Sequence, residues 1–115
     1  MIATEFGIIL KLDKKRVYMD YNPKKYECVE IDDDLYINDW WNELKNMHTY
    51  FWGLDEPAKG LCRHGITLIP PEELKYFEEV VKKDKRFQQD QSLQNLLQLI
   101  RKARKKNKYM IHFGV

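Results

Sequence analysis

Two adjacent prolines, Pro70 and Pro71, mark a change of secondary structure near the middle of the chain. The short apolar, partly β-branched run 65–69 before them is typical of a buried strand. Proline interrupts a strand ladder but is tolerated in the first turn of a helix. Two glutamates then follow at the end of a helix that favours negative charge, and three lysines lie near residue 85 at the opposite end. The sequence therefore predicts a strand, a sharp break, and then a helix.

Four further segments are predicted strands: 2–12, 16–21, 26–31 and 109–115. Side chains of 2–12 and 26–31 alternate between the two sides of a strand, whereas 16–21 is expected to be the returning strand of a hairpin. The polar, turn-like residues 13–15 are expected to join the first two segments in a hairpin. The last segment is apolar enough to be an aggregation hazard if it were left free. We therefore expect it inside the sheet.

Apolar residues spaced i, i+3, i+4 and i+7 predict two more helices. One spans about 90–106, and the other begins at the aspartate run 32–34, whose carboxylates can accept hydrogen bonds from free N–H groups. Residues 53–64 are expected to form a loop. The predicted order β-β-β-α-β-α-α-β indicates an α+β fold, a mainly antiparallel sheet of about five strands with about three helices packed on one face.

Length and composition indicate one globular domain spanning 1–115, since 43% of the residues are hydrophobic and 33% charged. Two cysteines, Cys28 and Cys62, are too few for a disulfide framework. Glu5 interrupts the apolar N-terminal stretch, and no basic residue precedes it, unlike in a signal peptide. No apolar run approaches the roughly 20 residues of a membrane helix. We expect a cytoplasmic protein with reduced thiols, no membrane contact and no cofactor.

Charge is distributed unevenly along the chain. Residues 1–60 contain 8 Lys/Arg and 12 Asp/Glu, whereas residues 61–115 contain 12 and 6. Such a division is typical of two functional faces, or of halves that attract each other in the fold. Both interpretations are open at this point.

The window 36–52 is the strongest candidate for a binding surface, because it contains six aromatic residues, including all three tryptophans. Aromatic anchors beside acidic side chains are typical of a protein-binding site. The alternatives are helix capping by the aspartates and core packing by the aromatic residues, which we expect for Trp40. The predicted partner-binding residues are Asp32, Asp33, Asp34, Asp39, Trp41, Glu43 and Trp52.

Two other groups of residues could carry a function. A small hydrolase or nuclease could use Cys62, His64 and His112, although no catalytic motif surrounds them and their spacing does not match a metal site. A nucleic-acid-associated protein could use a basic stripe on the last helix. That stripe consists of Arg101, Lys102, Arg104, Lys105, Lys106 and Lys108.

Four segments of the chain carry a resemblance to a known class of proteins. They are Thr4–Leu10 (TEFGIIL), Asn38–Trp41 (NDWW), Gly65–Pro71 (GITLIPP) and Ile111–Val115 (IHFGV). In these segments the chain resembles short uncharacterised bacterial proteins. In size and lack of a catalytic motif it resembles the immunity proteins of polymorphic toxin systems. The resemblance implies a non-enzymatic inhibitor that neutralises a cognate toxin, and an acidic surface would complement a basic toxin domain.

Overall fold

The computed structural model of the protein describes residues 2–115, which form one open antiparallel sheet and three helices. The predicted α+β class is thereby confirmed. The sheet has the strand order β2-β1-β6-β5-β3-β4, so the terminal strand lies inside it as predicted. The strands of residues 2–115 are β1 (Ala3–Ile9), β2 (Val29–Asp32), β3 (His48–Phe51), β4 (Pro57–Lys59), β5 (Ile66–Ile69) and β6 (Tyr109–Phe113).

The helices are α1 (Asn38–Leu44), α2 (Leu74–Lys82) and α3 (Gln91–Lys105). A π-helical turn, Asp33–Ile37, leads into α1, and the Asp32 carboxylate accepts a hydrogen bond from the Leu35 N–H at 3.1 Å. A 3₁₀ turn, Pro71–Glu73, leads into α2, as expected where two prolines end a strand. Two of the predicted helix starts therefore form through the capping and proline chemistry that the sequence indicated.

Both faces of the sheet are covered, but only one is covered by helices. On the helix face, Phe6 packs against Phe77 of α2 with ring centres 5.3 Å apart, and Trp40 is buried as predicted. On the opposite face, which we call the loop face, irregular segments of the chain cover the sheet. The buried residues there are Ile9, Tyr18, Ile66, Leu68, Ile111 and Phe113.

The predicted hairpin strand 16–21 is wrong, because this segment has no strand structure. β1 is already hydrogen-bonded to β2 on one side and to β6 on the other, so it offers no free edge to a third strand. The segment instead crosses the loop face, where Tyr18 is buried. The next predicted strand, 26–31, begins later than expected, because Pro23–Tyr26 form a 3₁₀ turn.

The predicted loop 53–64 is wrong in part, because it contains β4. β3 was also missed: it follows α1 after only three residues, and no strand was predicted between that helix and residue 53. The two strands pair with each other, and β4 forms one edge of the sheet. An edge strand tolerates Pro57, whose missing N–H is not needed on the solvent side.

Candidate functional site

Arg63 gathers three side chains at the start of α1. Its guanidinium donates to the buried Asp33 carboxylate at 3.1 Å and also to the Asn38 side-chain oxygen. The guanidinium carbon lies 4.9 Å from the centre of the Trp41 ring, in cation–π geometry. The buried Asp33 carboxylate is therefore paired with a cation, and the half-buried Trp41 has the same cation over its ring.

Arg86 organises a second cluster between α1 and the end of α2. It lies 3.0 Å from the exposed Asp39 carboxylate, and it makes a two-point contact with Asp84 at 2.7 and 2.9 Å. Trp40 donates its indole N–H to Asp84 at 2.8 Å. These hydrogen bonds, from Arg86 first and then Trp40, hold the pKa of Asp84 at about 2. Asp39 thus belongs to a charged network that ties α1 to the α2–α3 connection.

The other predicted acidic residues have separate positions. Asp32 caps the helical turn, and Glu43 forms an exposed ion pair with Lys83. Asp34 is exposed and has no ion pair within residues 2–115. Three of the predicted carboxylates, Asp33, Asp39 and Glu43, therefore face cations from the second half of the chain. These pairs support the interpretation that the two halves attract each other.

Trp52 lies on the loop face, away from the α1 clusters. Its φ is +70°, a left-handed conformation that costs a bulky residue about 1–2 kcal/mol. Its N–H donates to the Ile66 carbonyl, and its own carbonyl accepts the Tyr18 N–H, which ties the irregular segment to the sheet. The half-buried indole lines an open cleft of about 420 Å³, here called the Trp52 cleft, with Val17 and Leu54. Trp52 therefore joins the two structures that cover this face.

Three apolar side chains of the irregular segment point to solvent, and one of them, Val17, lines this cleft. Val17 is 59% exposed, Met19 67% and Tyr21 49%, whereas Tyr18 between them is buried. We call Val17, Met19 and Tyr21 the exposed patch. The exposed patch was not predicted, because the segment was assigned to a strand of the sheet.

The loop 61–65 connects the two predicted aromatic anchors. Arg63 stacks on Trp41, while Gly65 leaves room for the Trp52 indole, which a Cβ at this position would overlap. The loop also binds the exposed patch, since the Tyr21 hydroxyl donates to the His64 carbonyl at 2.9 Å. One short loop thus supports Trp41, Trp52 and Tyr21.

The three residues of the predicted hydrolase alternative lie in different environments. Burial raises the pKa of the Cys62 thiol, which disfavours a thiolate nucleophile. The exposed His64 places its Nδ1 2.9 Å from the Val115 carbonyl. His112 is 1% exposed, inside the core, and its ring nitrogens contact Thr4 and Thr67. The arrangement does not bring an activated thiol and a histidine to a common surface.

The basic stripe on the last helix is divided by the fold. Arg101 and Arg104 both contact Glu78 of α2, and despite desolvation these hydrogen bonds lower the pKa of Glu78. Lys102 lines a cleft together with residues of the segment 8–27. The other exposed cations of the stripe are Lys105 and Lys106, and Lys108 is half-buried.

Residues 2–115 contain no helix that is long and apolar enough to cross a bilayer. The same residues contain no group of three or more His, Cys, Asp or Glu side chains placed to hold a metal ion. Comparisons with protein-family models, with curated proteins and with solved structures found no match to this chain. The support for each candidate surface is therefore the exposure, contacts and charges of its own residues.

Proposed function

We propose that this protein is a non-enzymatic protein-binding module whose main contact surface is the exposed patch beside the Trp52 cleft. In its specific form, the proposal is an immunity protein or inhibitor that neutralises a cognate toxin. The sequence resemblance suggests that role, and the exposure of the patch supports the choice of contact surface.

The observation that carries the proposal is the exposure of Val17, Met19 and Tyr21 on one short segment. Burying a valine or methionine side chain contributes about 1.5–3 kcal/mol, so a partner covering the patch gains several kcal/mol. Single exposed apolar residues are common, but a group of them beside a cleft is typical of an interaction site. The neighbouring aromatic residues Trp52 and Tyr21 are the types most often found as binding anchors.

The backbone of Trp52 adds a second argument. Strained conformations of bulky residues persist only where the surrounding structure holds them, and they concentrate at functional sites. Here the positive φ of Trp52 places its indole over Gly65 and beside Val17. A partner would therefore meet an aromatic wall that is already held in place, which lowers the entropic cost of binding.

Charges of both signs border the Trp52 cleft. Lys14, Lys15 and Arg16 lie in its lining together with Asp55 and Glu56. A matching partner therefore presents an apolar centre with charged groups of both signs around it. Asp34, whose carboxylate is exposed and has no ion pair within the described chain, lies on the turn before α1 and not in the cleft lining, so the acidic contact predicted from the sequence is outside this surface.

Partner capture with two matched variants tests the proposed surface. The double substitution Val17→Ser and Met19→Ser removes apolar area from the exposed patch, and Leu35→Ser removes it from a residue 51% exposed on the turn before α1. We expect a partner identified by mass spectrometry to be lost with the first variant and retained with the second. Equal retention by both variants would contradict the assignment of the surface.

The inhibitor role requires its own experiment, because a binding module need not neutralise a toxin. We expect the captured partner to arrest growth when it is expressed alone, and co-expression of this protein to restore growth. The Val17→Ser and Met19→Ser variant is expected to lose that protection. A partner that is harmless when expressed alone would refute the inhibitor role and leave the binding surface intact. An Asp34→Ala arm measures the acidic contribution.

A further inference from the structure

A second cleft, of about 420 Å³, lies where the end of β1, the 3₁₀ turn Pro23–Tyr26 and α3 meet. We call it the lysine cleft, because its lining contains five cations from separate parts of the chain. They are Lys11, Arg16, Lys24, Lys25 and Lys102.

The cations of the lysine cleft are largely without acidic partners. Within residues 2–115, only Arg16 forms an ion pair, with the exposed Asp20 at 3.8 Å. Two carboxylates, Asp13 and Glu27, also line the cleft, and Asp13 already accepts a hydrogen bond from the Lys15 backbone at 3.0 Å. Like charges that converge in a concave site repel one another and strengthen the local field. An excess of positive charge therefore remains in the cleft without a counter-ion from the protein.

The cleft also offers apolar and aromatic surface beside its charges. The half-buried Tyr26 ring lies 5.8 Å from the Lys25 ammonium, and Leu10 and Leu99 line the wall. Its volume lies within the range of about 300–1,000 Å³ that is usual for small-ligand sites. Charged groups for an anion and an apolar wall for a base are thus present in one site.

We propose that the lysine cleft binds a phosphate-bearing ligand of nucleotide size. The lysines and Arg16 contact the phosphate oxygens, and Tyr26 with the two leucines contacts the base. The ligand is a free nucleotide or one unit of a single strand, because both present the same phosphate and base chemistry. The two clefts share Arg16, but the protein-binding proposal rests on Val17, Met19 and Trp52, which do not line the lysine cleft.

Binding of ATP and of a labelled short oligothymidylate, each with inorganic pyrophosphate as competitor, tests the lysine cleft. The cleft variant is Lys24→Ala with Lys102→Ala. The control is Lys105→Ala with Lys106→Ala, which removes the same charge from exposed positions outside the cleft lining. We expect at least one probe to bind, and the cleft variant to weaken that binding about tenfold while the control changes it less than about twofold.

The outcomes separate the two ligand sources and define failure. Cleft-dependent binding of ATP supports a free nucleotide, and cleft-dependent binding of the oligothymidylate alone supports a strand. Equal weakening by both variants would show unspecific attraction to positive charge and would overturn the proposal. If neither probe binds at low salt, the proposal is overturned as well. Melting temperatures of both variants establish that each remains folded.

Discussion

At the scale of single residues, His112 is held in a complete chain of hydrogen bonds inside the core. Thr4 donates its hydroxyl hydrogen to the Phe113 carbonyl at 2.8 Å, so its oxygen is left to accept from His112 Nε2 at 2.7 Å. His112 Nδ1 then accepts from Thr67 at 3.1 Å, and Thr67 accepts from the Cys62 N–H. In this chain every hydrogen-bond donor meets an acceptor only if the imidazole is neutral, with one nitrogen donating and the other accepting.

The first prediction concerns the pH dependence of stability. Burial lowers the pKa of His112 from 6.5 to about 3. In the unfolded chain His112 takes up a proton near its ordinary pKa, whereas in the folded protein it stays neutral. The free energy of unfolding is therefore highest above about pH 7 and falls as the pH drops towards 3. We expect a slope of up to about 1.4 kcal/mol per pH unit below the ordinary pKa. Urea unfolding at pH 7 and pH 5 measures it.

His112→Gln provides the control for this slope. Glutamine keeps one donor and one acceptor for Thr4 and Thr67 but does not titrate. The variant is expected to lose most of the difference in unfolding free energy between pH 7 and pH 5. An unchanged difference would assign the slope to other groups. The lowered pKa values of Asp84 and Asp90 matter only at more acidic pH.

The second prediction concerns the support of Trp52 by Gly65. A Cβ at residue 65 would lie 2.6 Å from the Cys62 sulfur and would overlap the Trp52 indole. Gly65→Ala should therefore reduce the unfolding free energy by about 1–3 kcal/mol and displace the indole. Gly53→Ala, where the nearest atom is the Arg16 carbonyl at 3.2 Å, is the milder control. Chemical denaturation and tryptophan fluorescence report both effects, and equal losses in the two variants would refute the packing role.

At the scale of elements, the end of α3 directs the chain into β6. Asn107 has a φ of +54°. The N–H of Lys108 bonds to the Ala103 carbonyl at 2.9 Å, and that of Asn107 bonds to the Arg104 carbonyl at 3.0 Å. This is the Schellman arrangement, in which a left-handed residue satisfies the last carbonyls of a helix. Asparagine tolerates that conformation better than most residues do.

The third prediction follows from this helix end. Asn107→Gly relieves the remaining strain and should leave the stability unchanged or raise it by up to about 1 kcal/mol. Asn107→Val places a β-branched residue in the left-handed region and should cost about 1–2 kcal/mol. Thermal melting of the two variants measures the difference. A valine variant as stable as the glycine variant would contradict the arrangement.

The elements also show which parts of the fold were predictable. Helix α3 was predicted because Leu93, Leu96, Leu97 and Ile100 repeat at helical spacing, and all four are buried. The irregular course of 16–21 was not predictable, since the segment is rich in apolar residues and only the occupied edges of β1 exclude it from the sheet. The residue pattern of a segment indicates its local conformation, whereas its place in a sheet depends on strands that are distant in the sequence.

The candidate site was predictable only in part for the same reason. Trp41 and Trp52 were predicted as partner-binding residues, and the structure shows that both are half-buried. The ion partners of Asp33, Asp39 and Glu43 were not recognised, because each pairs with a cation 30 or more residues away. Contacts over such distances decide whether a carboxylate faces solvent or another side chain.

At the scale of the whole molecule, the charged residues of the described chain form ion pairs between its two halves in some places and remain without such pairs in others. Ion pairs such as Asp33–Arg63 and Asp39–Arg86 join the acidic first half to the basic second half. The segment 10–27 is an exception, since it carries six Lys/Arg against three Asp/Glu and belongs to the otherwise acidic half. It contributes cations to the lysine cleft and contains the whole exposed patch. Both proposed sites therefore depend on the segment that departs from the predicted sheet.

The most direct test of the central claim is the dissociation constant for the purified partner, measured by calorimetry with two variants. Val17→Ser with Met19→Ser is expected to raise the dissociation constant by about tenfold or more, because both side chains lose contact area in the interface. Leu35→Ser, at an apolar residue that is 51% exposed outside the patch, is expected to change it by less than about twofold. Equal dissociation constants for the patch variant and the unmodified protein would contradict the account.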